Sequence, residues 1–161
     1  MIDAYLALHN EPLRVPGIPS VAGVVVDEGA LAGVLLQDIK ATSNLPSRLE
    51  AIATAEELEG LRRLVPGWHA RIELVVQALH SRGLCLNEEA SQSGLDETIL
   101  VIDKDDEIWL PLLSIFRIDE DREEFRERIY RDKEVVQQIF EQYIVEELIR
   151  GETRVRVEYK D

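Results

Sequence analysis

Three histidines, one cysteine and 32 acidic residues are the raw material for chemistry in this chain of 161 residues. The histidines are His9, His69 and His80. His69, Glu73 and His80 are spaced by 4 and 7 residues, so on a helix they share one narrow sector. Imidazole nitrogen and carboxylate oxygen are ligands for a divalent transition ion. His69 and His80, however, stand about three turns apart, roughly 16 Å along a helix axis, too far to share one ion. Either histidine with Glu73 supplies two ligands and lacks a third. The expected role is therefore hydrogen bonding at the margin of a packed helix face, and no metal is expected. Cys85, between Leu84 and Leu86, reads as a buried structural thiol.

Asp103-Lys104-Asp105-Asp106-Glu107 has the acid density of a calcium loop. Such a loop needs glycine at its sixth position and glutamate at its twelfth, where this chain has Ile108 and Ser114. A solvated hairpin tip is the expectation. The chain holds no G-x-S-x-G elbow, no H-E-x-x-H helix, no P-loop and no G-x-G-x-x-G. With so many acids, no carboxylate pair stands out for acid–base work. Trp109, flanked by Ile108 and Leu110, reads as core or interface rather than a ligand platform. No cofactor is expected, and catalytic residues cannot be assigned.

The elements that would position these residues follow from pattern. The longest periodic stretch, Asp119 to Gly151, predicts one long helix or two end to end. Asp121 and Glu124 have capping-box spacing at its start, and Gly151 is placed to close it. Phe125 and Ile129 form a narrow apolar stripe there, with Glu124–Arg128 and Glu127–Arg131 as i,i+4 pairs. Beyond it Val135, Val136, Ile139, Phe140, Tyr143, Ile144, Val145, Leu148 and Ile149 cover most of the circumference. A helix apolar nearly all round must be buried, and this girth predicts a homodimer through residues 135–149.

Val21 to Leu36 predicts a β-hairpin turning at Asp27-Glu28-Gly29, apolar on both faces and so expected to be covered on both sides. Three prolines up to Pro19 make residues 1–20 a short helix and an irregular lead-in, and residues 37–53 are ambiguous around Asn44-Leu45-Pro46. Thr54 and Glu57 form a capping box for a helix to about Leu64, which Pro66-Gly67 should end. A second helix, Trp68 to Arg82, stops at Gly83 and should pair with the first. Residues 84–97 are mostly polar, with Ser91-Gln92-Ser93-Gly94 as an exposed loop. Thr98–Asp103 and Ile108–Leu113 predict a second hairpin, its return strand kept to an edge by Pro111. Thr153 to Tyr159 alternates as a half-exposed strand should. The two hairpins resemble each other, which fits an internal duplication or two ordinary hairpins. The fold expected is one α+β domain over residues 1–161. It has a mostly antiparallel sheet from two β-hairpins plus a C-terminal strand, packed with a helical pair and one long C-terminal helix.

Composition narrows the function classes. A net charge of −14 repels phosphate backbones and anionic lipid, so neither nucleic acid nor membrane is an expected partner. A basic protein partner fits the charge. One cysteine and no leader-like start predict a reducing, cytoplasmic setting.

Val24-Val25-Val26-Asp27-Glu28-Gly29-Ala30-Leu31-Ala32-Gly33-Val34-Leu35 is similar to the hairpin of CBS domains, tandem modules that often bind adenosine nucleotides. The resemblance covers some fifteen residues and implies a ligand near Gly33 and Asp38. The leading expectation is a non-enzymatic interaction or regulatory protein that self-associates and docks a partner through its acidic surface. The alternatives are a CBS-like adenine-nucleotide sensor and an enzyme built on scattered acids with His69 or His80.

Overall fold

A computed structural model describes residue 8 and residues 15–86, 100–111, 115–117 and 122–158, without the side chains of residues 31, 115–117, 122 and 158. His9, Asp119 to Asp121, the Ser91–Gly94 loop and Tyr159 lie outside the described residues. The architecture is α+β, and every strand pair is antiparallel.

Strands β1 (Val21–Asp27) and β2 (Ala30–Leu36) form the first hairpin. Its turn places Glu28 at φ 46° and Gly29 at φ 81°, the paired positive angles that match strand twist in a two-residue connection. β3 (Ala41–Asn44) leads into the short helix α1 (Leu45–Glu50), with Asn44 as N-cap. Helix α2 runs Ala55–His80, opened by the Thr54–Glu57 capping box. β4 (Leu84–Leu86) follows the turn at Gly83, whose φ is 69°. β5 (Val101–Asp103) and β6 (Ile108–Trp109) make the second hairpin, and β7 (Ile115–Arg117) pairs with β4. A long C-terminal helix closes the chain. It comprises α3 (Arg122–Gln137), a π-helical segment (Gln138–Tyr143) and α4 (Ile144–Glu158).

Four expectations need correction. Pro66 does not split the first helical region: α2 is continuous through Pro66-Gly67. Proline removes one intrahelical bond, but Arg62, whose carbonyl loses it, is exposed to water. Buried Leu58 and Leu61 on one side and Trp68, Ile72, Val75, Val76 and Leu79 on the other hold both halves to one core. Gly151 does not end the last helix. It is buried in mid-helix, where an added Cβ would lie 3.2 Å from Ile52 Cδ1. Thr153 to Glu158 is therefore helix and not strand. Ile144, Gly151 and Val155 are buried along one helical face with Leu148 half-buried, whereas Val157 is 61% exposed. Finally, the two hairpins do not share a sheet: among the described residues β1–β2 is a sheet of its own, β6 is the edge of β3-β5-β6, and β4–β7 is a third pair.

The core gathers around α2, with Leu49 and Ile52, the buried β4, Ile102, Ile108 and Leu110, and the inner face of the C-terminal helix. This reassigns the apolar girdle. Val135, Val136, Ile139, Phe140 and Ile144 are buried in their own chain, and Tyr143 and Leu148 pack against that core. A second copy is not needed to cover them. Of the apolar residues of the girdle, only Val145 and Ile149 are exposed.

Candidate functional site

The described residues offer two places of chemical interest, a buried constellation at the end of α2 and the exposed first hairpin. The constellation is built by the turn after α2. His80 ends the helix, Gly83 reverses the chain, and β4 brings Cys85 back beneath it. α3 packs against both α2 and β4 and contributes Asp132. Asp132 Oδ2 lies 2.7 Å from His80 Nε2 and accepts the Leu86 amide hydrogen at 3.1 Å. One carboxylate thus ties a helix end to a strand. Phe125 meets the His80 ring edge-on at 6.3 Å. His80, Cys85 and Asp132 each turn a donor atom into a space no wider than 4.8 Å. A pocket of about 310 Å³ reaches His80, walled by Glu73 and Gln77 of α2 and Lys133, Val136 and Gln137 of α3.

Cys85 is not an activated nucleophile. Burial, reinforced by the Asp132 carboxylate and opposed by Arg128, pushes its thiol up to about 12. At neutral pH about one molecule in 10⁵ would carry the thiolate that attack requires. Its expected burial is correct, and its neighbours were not foreseen.

The structure separates the other predicted partners. His69 does not hydrogen-bond at a seam. It stacks on Phe140 at 4.7 Å, and its Nε2 lies 3.6 Å from Glu73, beyond hydrogen-bond length. His80 turns away to Asp132, so His69, Glu73 and His80 form no common site. The tip of the second hairpin is solvated as expected, with Lys104, Asp105 and Glu107 exposed, but its acids are already engaged. Asp103 is buried. Its Oδ1 accepts the Asp105 and Glu107 amides at 2.9 and 3.0 Å, and its Oδ2 accepts the Trp109 indole at 2.8 Å. Burial opposes its ionisation, but these donors and the Arg71 charge outweigh that and hold the carboxyl below the usual range. Asp106 pairs with Arg48, Glu107 with Arg71, and Asp105 with Lys104. Trp109 is half-buried with the Arg71 guanidinium 5.7 Å from its ring centre, a structural seat.

The first hairpin also departs from expectation. It is not covered on both faces. Val25 is 42%, Val26 60%, Leu35 56% and Leu36 37% exposed. Val25 stands opposite Gly33, so no cross-strand side chain shields it. Val21 and Val34 pack on the core, and Ser20 and Gln37 bond across the base, so the ribbon is rooted at one end. Asp38, named by the CBS resemblance, is exposed and paired with Lys40.

The chain matches no protein-family model and no curated protein. No helix among the described residues is long and apolar enough to cross a membrane.

Proposed function

We propose that this chain is a non-enzymatic interaction module, and that the β1–β2 ribbon docks an extended, basic segment of a protein partner. The observation that carries the reading is the exposure of Val25, Val26, Leu35 and Leu36 on a hairpin that, among the described residues, joins no larger sheet. A two-stranded hairpin alone is marginal in water, and its open edges are templates for another strand. Strand addition supplies backbone hydrogen bonds and covers alternate side chains. Charge selects the occupant. The ribbon and its base carry Asp27, Glu28 and Asp38 against Lys40, and Lys40 is paired with Asp38. A second copy would set −14 against −14, whereas a basic segment is attracted.

Titration with two synthetic strand peptides tests this, one alternating valine with lysine and one valine with glutamate. The expected result is saturable binding of the lysine peptide alone, weakening with salt. Equal binding of both peptides, or of neither, overturns the proposal. Light scattering that shows a dimer dispersed by Val26→Lys would instead assign the ribbon to a second copy.

A further inference from the structure

His80 Nε2, Cys85 Sγ and an Asp132 carboxylate oxygen converge from the end of α2, from β4 and from the middle of α3. From this convergence we propose that the three residues bind one divalent ion of the zinc class, pinning α2 and β4 to α3. The inference is independent of the partner-docking reading.

Donor chemistry selects the ion. Sulfur and imidazole nitrogen suit zinc and its neighbours, whereas calcium and magnesium require oxygen. Thiolate and carboxylate together balance a double positive charge. Arg128, buried one turn before Asp132, places a positive charge near the thiol, and Glu124, a turn further on, places a negative one.

Geometry is close to what a tetrahedral ion needs. Bonds of 2.0–2.3 Å hold donors roughly 3.3–3.6 Å apart, and here all three lie within 4.8 Å. The 2.7 Å contact of His80 with Asp132 opens by roughly 0.6–0.9 Å as the ion inserts. Binding releases the Cys85 proton to solvent and leaves His80 Nε2 as a lone-pair donor, its proton moved to Nδ1. The pocket between α2 and α3 brings solvent up to His80, on one side of the cluster.

Cobalt titration of the reduced 161-residue chain is the test. Cys85 is the sole thiol, so any sulfur-to-cobalt charge-transfer band comes from it without a variant being made. The expected band saturates at one equivalent and is displaced by zinc. Asp132→Asn and His80→Gln lower the affinity at least tenfold, whereas His69→Gln leaves it unchanged. Zinc raises Tm in the wild-type chain and not in Cys85→Ser. Absence of the band in the wild-type protein overturns the site, as does equal cobalt affinity in Cys85→Ser with its circular dichroism preserved.

Discussion

Replacing Val26 and Leu35 together by threonine should weaken docking while leaving the fold intact. Threonine is β-branched and keeps the strand preference of these positions. Complete burial of a valine or leucine contributes about 1.5–3 kcal/mol. Val26 and Leu35 still expose 60% and 56% of their surface, so a partner that covers them gains roughly 1–1.5 kcal/mol from each. Threonine keeps one methyl and loses about half of this. The pair should therefore cost about 1–1.5 kcal/mol, or about 5- to 13-fold in Kd for the valine–lysine peptide. Folding stability should change by less than about 0.5 kcal/mol, as for other exposed positions. Isothermal titration with the peptide and urea unfolding of the free chain read the two quantities separately. Charge adds a second arm. Val26→Lys and Val26→Glu remove the same methyls, but against a basic segment the lysine variant should lose more. The reasoning is refuted if both charged variants lose equally, or if the threonine pair binds as wild type.

Other perturbations test the frame. Asp103→Asn should cost about 1–3 kcal/mol at neutral pH in urea unfolding, because an amide cannot accept from two backbone amides and the Trp109 indole at once. The folded carboxyl is held low, so its stabilisation is complete above the ordinary aspartate range and is lost as pH falls through the folded value. Acid titration of stability should accordingly be shallower in the variant in that low window. Gly151→Ala should stay within about 1 kcal/mol of wild type, since helix propensity gained offsets the 3.2 Å approach to a mobile Ile52 methyl. Gly151→Leu should cost about 1–3 kcal/mol by overpacking. Gly17→Ala should cost about 1–3 kcal/mol, because Gly17 has φ 101° and a Cβ there would meet Arg71 Cγ at 2.8 Å.

Local chemistry was legible in the sequence where the deciding residues are neighbours. Thr54 with Glu57 and the Asp27-Glu28-Gly29 turn appear where the pattern puts them. The second hairpin turns where expected, although its return strand is only Ile108–Trp109 and leaves Leu110 and Pro111 outside. Legibility failed where tertiary packing decides. Pro66 and Gly151 are strong local stop signals, overridden because both flanks of each pack on one core. The alternation of Val155 and Val157 fits a strand of two matched side chains, yet only Val155 faces the core. Apolar residues on both faces of the first hairpin cannot reveal that four of them stay exposed. The His80, Cys85 and Asp132 cluster was hidden because its third member lies 52 residues beyond the histidine. One signal was available. Phe125 and Ile129 begin a stripe whose next helical positions are Arg128 and Asp132, both buried, before Val135 and Val136 resume it. Charged residues filling an apolar stripe point to buried partners.

The claim that the ribbon is a partner's seat is tested most directly by placing a photo-crosslinking amino acid at Val26 in the source cell, with one at the exposed Arg63 on α2 as control. The account predicts a cross-link from position 26, and none from position 63, into a segment that alternates apolar with lysine or arginine side chains. A cross-link to a second copy of this chain, or equal labelling from both positions, would contradict it.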